Sequence, residues 1–385
     1  MLISSLPSKT KLESSQKVQH RSARITFDSG NPQPSDLWFQ FVSTDPELLA
    51  SDHLDPFAVS LLLVGMKRKE AIRINGSLSR SVYEGMKKYQ EIYHEWFPDQ
   101  FHLIEILPDS LREEPSYQSK HESLESLGSA AAFSGGVDSF YSFLKLAHGT
   151  ESPKLTHTLF MAGFDMPLNL KDSIHQLTST YSKLMTDSGI SFVTGSTNIR
   201  KFVNSVEWTN AHGQALIASA LFFESHWQSF TIPSSYTHGS YPKWGTHPSL
   251  DPLLSTSTMK FKHHGAEKNR VSKLEWIAQH PESFHKVRVC WIQELGLQNC
   301  GVCEKCIRTQ LALQILDKND NYLNFERKLT RKAIRSLSQR TYQGRLFAWE
   351  LIKEALSRWK FGVAFDLWYS LIARRIRYTL KRLSN

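Results

Sequence analysis

No apolar run in this 385-residue chain approaches the roughly 20 residues needed to cross a bilayer. The longest, Phe57 to Met66, is about half that. The Ser- and Lys-rich start has no apolar region after it, which argues against a secretory signal. Cysteine is scarce: all four lie between 290 and 306, too few and too crowded for a disulfide framework. Acidic residues nearly vanish toward the end of the chain. From Arg327 to Asn385, 15 Lys and Arg face only Glu350, Glu354 and Asp366, a surplus of +12 in a chain whose total is +9. The basic character therefore belongs to the tail, and the rest of the chain is mildly acidic. These absences exclude a membrane-spanning or disulfide-stapled secreted protein and point to a cytoplasmic chain of two or three domains.

What is present is organised around Ala131-Ala132-Phe133-Ser134-Gly135-Gly136-Val137-Asp138-Ser139-Phe140-Tyr141. An apolar run ends in Ser-Gly-Gly, and a helical pattern through Phe140, Phe143, Leu144 and Leu146 follows directly. This predicts a buried strand, a tight turn and a helix. Gly135 and Gly136 allow backbone conformations closed to other residues, so their N–H groups can turn inward at a helix N-terminus and cradle phosphate. Ser134 and Ser139 add hydroxyls, Val137 contributes backbone, and Asp138 supplies a carboxylate able to hold Mg²⁺ against the phosphates. No Lys follows the second glycine, so this is not a Walker A loop. On this reading Asp138→Asn abolishes turnover while stability stays within about 1 kcal/mol. Gly136→Val blocks binding through its backbone angles.

Before that loop, residues 1–30 are polar and read as a flexible terminus. Residues 31–107 read as an N-terminal α+β domain. Its strands are Leu37–Val42, Ala71–Ile74 (closed by the turn signal Asn75-Gly76) and Phe101–Leu107. Its helices are Pro56–Met66, with Asp55 as N-cap, and Ser79–Trp96, whose Tyr/Trp face is core. Residues 108–129 are polar and Ser-rich, a linker. From 130 strands and helices alternate, the sign of a parallel sheet. Ligands of such sheets bind beyond the carboxyl ends of the strands. That rule gathers Asp165, Asn198, Arg200 and His212 near Ser134. Ordinary roles are open to each: a helix cap, a turn residue, a surface cation, a carbonyl partner. The irregular Ser235–Thr258 suggests a lid or binding loop. The basic stretch Lys260 to Lys273, which includes Arg270, either grips an anion or is a solvated face.

Cys290, Cys300, Cys303 and Cys306 are spaced C-x9-C-x2-C-x2-C. Four thiolates complete a closed tetrahedral zinc site. An iron–sulfur cluster also uses a C-x2-C-x2-C run, and metal-free thiols are a third reading.

The Ser134-Gly135-Gly136-x-Asp138-Ser139 loop resembles that of the PP-loop ATP pyrophosphatases. With the downstream cysteines, and Pro281 and Lys286 before them, the stretch 130–315 is similar to the 7-cyano-7-deazaguanine synthases of queuosine biosynthesis. The Tyr-Pro-Asp-Cys-Arg substrate stretch of those enzymes is absent, with Thr246-His247-Pro248-Ser249-Leu250-Asp251 in that region. The resemblance implies a parallel-sheet, adenine nucleotide alpha hydrolase-like (HUP-type) fold for 130–315. The N-terminal α+β domain and a basic segment, 316–385, read as helical from its apolar spacing, lie outside it, and the chain as a whole reads as α/β. It also implies a cytoplasmic ligase that uses ATP and Mg²⁺, carries Zn²⁺ and releases AMP and pyrophosphate. Such an enzyme adenylates a carboxylate or amide oxygen for attack by a nitrogen nucleophile.

The candidate catalytic residues are Asp138, Ser139 and Arg200. The nucleotide-binding set is Ser134, Gly135, Gly136, Val137, Asp138, Ser139 and Asp165, and the metal set is the four cysteines. A tRNA-modifying PP-loop enzyme, to which the basic tail lends support, and a non-catalytic nucleotide-binding partner remain alternatives. The tail is also a candidate contact for a polyanion, an acidic protein or a membrane surface. The acceptor and the oligomeric state are left open by the sequence.

Overall fold

The computed structural model describes residues 1–13, 16–30, 33, 35–113, 127–149, 153–318, 323–337 and 341–383. Among these residues the protein is α/β, with eleven strands in one mostly parallel sheet and eleven α-helices. The strands are β1 Leu2–Ser5, β2 Lys9–Glu13, β3 Gln16–Thr26, β4 Ser35–Ser43, β5 Ile72–Ser79, β6 Ile106–Arg112, β7 Gly128–Ala132, β8 His157–Ala162, β9 Ser191–Thr197, β10 Trp227–Pro233 and β11 Lys260–His264. Their order is β11-β10-β7-β8-β9-β4-β3-β1-β5-β6, with β2 added on β3. The helices are α1 Asp55–Arg68, α2 Arg80–Trp96, α3 Val137–His148, α4 Lys171–Asp187, α5 Trp208–Leu221, α6 Arg270–Ile277, α7 Pro281–Phe284, α8 Glu304–Ile315, α9 Arg331–Arg335, α10 Tyr342–Ser357 and α11 Phe361–Leu383.

The five strands from β11 to β9 are parallel, as the alternating pattern requires. β4 then pairs antiparallel with β9 and carries the sheet on into the N-terminal half. The core is continuous across the same joint. Phe39 and Phe41 of β4 pack on Phe222, just past α5, at 5.2 and 5.3 Å between ring centroids, and Phe57 of α1 meets it at 5.5 Å. The N-terminal residues thus share a sheet and a core with the rest. Residues 114–126, most of the expected linker, lie outside the described residues.

Four expectations for this half are corrected. Residues 1–30 are not a frayed terminus but supply β1, β2 and β3. Their inward face hides from pattern reading because two of its residues are polar. Gln19 is buried with its amide on Leu48 O and Ala50 N (3.0 and 2.8 Å), and Arg21 is buried with its Nε on Ser51 O (3.1 Å). Asn75-Gly76 does not close a strand. β5 runs through it with a register shift between Ile74 and Ser77, and Gly76 at φ +144° takes up the bulge. The last strand of this half begins at Ile106, not Phe101, and extends over Pro108; β6 is an edge strand, where a missing N–H is tolerated. Asp55 does not cap its own helix. Leu54 holds the N-cap position, and the buried Asp55 carboxylate accepts from Ser79 N (2.7 Å), Ser79 Oγ (2.6 Å) and Arg112 Nη2 (3.1 Å).

Candidate functional site

β7 is buried between β10 and β8, and Phe133 locks its end by edge-on contacts with Phe140 (5.0 Å) and Tyr181 (5.1 Å). The chain then turns through Ser134, Gly135 and Gly136 into α3. Gly135 has φ +78°, and a Cβ on it would collide with the fully buried Tyr181 hydroxyl. Glycine is therefore required there for two independent reasons. Gly136, in contrast, sits at φ −81°, ψ 171°, ordinary extended backbone with room for a Cβ. The backbone argument against Gly136→Val is corrected accordingly. Ser139 Oγ donates to Gly136 O (3.0 Å) and lies 3.4 Å from Ser134 Oγ. Ser134 is exposed, Ser139 is buried, and Val137 anchors the first turn of α3 in the core. The loop stands at the carboxyl edge of the parallel strands with its backbone folded back on its own hydroxyls.

Asp138 is not a free carboxylate. Lys273 Nζ of α6 lies 3.0 Å from Oδ1, Arg270 Nη1 lies 3.6 Å from Oδ2, and Ser235 Oγ donates to Oδ2 at 3.1 Å. Burial pushes the Asp138 carboxyl up, but Lys273 and Arg270 outweigh it and hold the group below the usual range. Lys273 is itself buried and also donates to Ser234 O. The two registers that align Thr231 with Ala131 and Pro233 with His264 bring β10, β7 and β11 to one level, and this delivers Ser234, Ser235 and α6 to the loop. The basic stretch of the sequence thus divides into a strand and a helix, and the helix supplies the partners of Asp138. A Mg²⁺ ion on this carboxylate would compete with two cations of the chain itself, so the arrangement favours positive side chains over a metal as the resident counter-charge.

The next strands build a second wall. Asp165, just beyond β8, accepts from Trp208 Nε1 at 2.9 Å, and Phe164 packs on the same indole at 5.3 Å. Arg200, exposed after β9, stacks its guanidinium over Trp208 at 4.5 Å. Asp165 and Arg200 are therefore brought together through one ring. Asn198 serves the fold: its Oδ1 accepts from Trp38 N (3.0 Å) and its Nδ2 donates to Asp36 O (2.8 Å), tying β9 to β4. His212 lies in the second turn of α5, which begins at Trp208 rather than at His212. It donates Nδ1–H to Trp208 O (3.1 Å) and accepts from Trp244 Nε1 (2.8 Å), which makes it a neutral imidazole. Burial lowers its pKa in the same sense. Within the irregular segment, Tyr236 and Trp244 lean together at 5.9 Å, and the Trp244 ring meets His212 at 5.3 Å.

The four cysteines meet as the spacing requires. Their sulfurs all lie within 4.8 Å of one another, with Cys290–Cys303 at 4.0 Å and Cys300–Cys306 at 3.8 Å. A tetrahedron of Zn–S bonds near 2.3 Å has edges of about 3.8 Å, so the sulfurs could hold a metal ion of that size. Backbone N–H groups of Ile292 (3.3 Å), Val302 (3.4 Å) and Cys303 (3.3 Å) point at sulfur. Asn299, fully buried, accepts from Val289 N and Cys290 N and donates to Leu323 O, so it pins both arms of the cluster. The hydrogen bond from Cys306 holds the Cys303 thiol below its ordinary value.

Sequence reasoning missed how the cysteine loop is joined to the Ser134–Ser139 turn. Arg288, two residues before Cys290, donates its backbone N–H to Gly135 O at 2.8 Å. Its guanidinium is buried among Gly296 O, Ile292 O (3.2 Å) and Gln293 Oε1 (2.6 Å). The cluster also sets the start of α8, which carries Lys305 and Arg308. Arg308 lies over Phe347 at 4.5 Å, and its buried Nε has no hydrogen-bond partner among the described residues. Burial, then repulsion from Arg270, lowers its pKa to about 10. No local pattern could have flagged these cations, because Arg288 meets Gly135 across 153 positions and Arg308 meets Phe347 and Arg270 only once the helices have packed.

Comparison of the chain with protein-family models, curated proteins and solved structures found no match.

Proposed function

We propose that this chain is an ATP-dependent enzyme of the PP-loop type that releases AMP and pyrophosphate. The observation that carries the reading is the Ser134–Ser139 turn at the carboxyl end of β7, with Gly135 at φ +78° and Lys273 and Arg270 beside it. The turn and the start of α3 hold the β and γ phosphates, and Ser134 and Ser139 donate to them. The α phosphorus then faces the wall of Asp165, Trp208 and Arg200, where the acceptor lies. An acceptor oxygen attacks it, pyrophosphate leaves, and a nitrogen nucleophile displaces AMP from the activated carboxylate or amide. Lys273 and Arg270 balance the charge that builds on the leaving pyrophosphate, alongside Mg²⁺ brought in with the nucleotide. The Cys290, Cys300, Cys303 and Cys306 site holds zinc in a structural role, as in the 7-cyano-7-deazaguanine synthases that the sequence resembles. The likeness supports the reaction class and a cytoplasmic setting more than it supports the acceptor.

The test is product analysis of the full-length protein with ATP and a panel of carboxylate and amide acceptors. AMP and pyrophosphate are expected, together with acceptor-dependent exchange of labelled pyrophosphate into ATP. ADP as the product overturns the proposal, as does failure to bind any adenine nucleotide. The Asp138 ion pairs favour one second reading, a nucleotide-binding protein without turnover, since they occupy the carboxylate that a catalytic metal would use. Nucleotide binding with no exchange for any acceptor would select it.

A further inference from the structure

α10 and α11 form a hairpin that buries one side and leaves the other bare. Ala348, Leu351, Ile352, Ala355, Ala364 and Leu367 pack into the body. On the opposite side Trp349, Trp359, Phe361, Phe365 and Trp368 are between 45% and 79% exposed. Large aromatics gathered in this way are unlike the scattered apolar residues of an ordinary surface. Phe361, Phe365 and Trp368 share one face of α11, and the sequence continues the same helical spacing with Ile372 and Ile376.

The corner between the two helices adds an independent sign. Lys360 N bonds Ala355 O (2.8 Å) and Trp359 N bonds Leu356 O (3.2 Å), the paired bonds of a left-handed helix terminus. That position ordinarily takes glycine, yet Trp359 occupies it at φ 60° and is the most exposed large apolar residue of the described chain. The fold thus holds a bulky indole in strained backbone so that it projects into solvent.

Charge identifies the occupant. Arg331 and Arg335 are engaged by Asp366, Arg358 by Glu275 and Glu354, and Lys360 by Asp317. After Asp366 the sequence has no acidic residue but carries Arg374, Arg375, Arg377, Lys381 and Arg382. A second copy of the chain bearing the same +12 segment would be repelled from this face. Single-stranded nucleic acid stacks its bases in grooves, whereas these exposed aromatics follow one another along a helix face whose sequence spacing leads on to Ile372 and Ile376. Among the described residues no helix is long and apolar enough to cross a membrane. We propose that the hairpin lies flat on an anionic phospholipid surface, with its aromatic stripe at the boundary of headgroups and acyl chains and its cationic end against the phosphates.

The test uses the full chain floated with vesicles of phosphatidylcholine alone or with about a third phosphatidylserine, at low salt. Binding to the anionic vesicles only is expected, with a blue shift of Trp emission and a steep loss of binding as salt is added. Trp359→Ser/Phe365→Ser/Trp368→Ser should bind at least about tenfold more weakly with an unchanged melting temperature, since all three side chains are exposed. Arg374→Glu/Arg375→Glu/Arg377→Glu should lose binding as well. The proposal is overturned if the wild type ignores anionic vesicles or if the aromatic variant binds as the wild type does. It is equally overturned if the face proves to bind RNA, or to join two copies, in a protein that leaves vesicles alone.

Discussion

Asp138 and Lys273 stand 135 residues apart in the chain and 3.0 Å apart in the fold, and that pair changes what a substitution does. Asp138→Asn leaves a buried lysine without its counter-charge. Removing one member of a buried pair costs about 3–5 kcal/mol, and the partial exposure of Asp138 reduces this to about 2–3 kcal/mol. The smaller effect inferred from the sequence ignored Lys273. Urea unfolding should show the loss in Asp138→Asn and a partial recovery in Asp138→Asn/Lys273→Met. An additive double variant would mean that the pair does not couple. The pH dependence follows from the lowered Asp138 carboxyl. Its stabilising contribution is full above the ordinary carboxylate value, about 4, and falls away as pH drops through the lower folded value. Acid unfolding of the wild type should therefore have a component that is missing from Asp138→Asn. At the neighbouring turn, Gly135→Ala should cost about 2–4 kcal/mol and abolish nucleotide binding, through left-handed strain and the collision with Tyr181. Gly136→Ala should leave the melting temperature within a few degrees of wild type. Equal damage at the two positions would show that the turn has been misread.

At the scale of elements, the cysteine cluster and the Ser134–Ser139 turn are joined through Arg288 N–H on Gly135 O. Purified protein should carry about one zinc per chain, and Cys303→Ser should lose metal and stability together. Chelation should also weaken nucleotide binding, read as a smaller ligand-induced rise in melting temperature. A brown, iron-containing protein would replace zinc by a cluster, and unchanged nucleotide binding in stripped protein would sever the proposed link. Deleting the chain after about 345 is a poor probe of the tail, because α10 buries Leu351, Ile352 and Ala355 and sets Phe347 against Arg308. Point substitutions on the bare side are the cleaner instrument. Several elements could be read in advance because their signals are local: the strand–turn–helix at Ser134, helices α1 and α2, the cysteine quartet and the alternation after residue 130. The rest was hidden for physical reasons that can be named. Gln19 and Arg21 fill an inward face by pairing with backbone, Gly76 signals a turn but makes a bulge, and Pro108 suggests a break where an edge strand accepts it. The partners of Asp138 are set by strand registers that no window of sequence contains.

For the whole molecule, the joint between β4 and β9 makes the two halves one cooperative body. Residues 128–385 expressed alone should aggregate, since β9 would lose β4 and Phe222 would lose Phe39, Phe41 and Phe57. The intact chain should unfold in a single transition, coincident by circular dichroism and Trp emission. Two separated transitions, or a soluble folded fragment, would show that the halves are independent.

That joint also places the folding problem in time. Thr197 Oγ1 donates to Trp38 O across 159 residues of sequence, and Phe223, whose ring packs on Phe41, comes later still. A ribosome making this protein releases β4 long before β9 exists, so a nascent strand waits with one edge unpaired and Phe39 and Phe41 uncovered. Closing so long a loop is slow, and the waiting surface is sticky. The early part of this chain thus keeps an exposed strand edge and an uncovered aromatic face until translation delivers Ser191–Thr197.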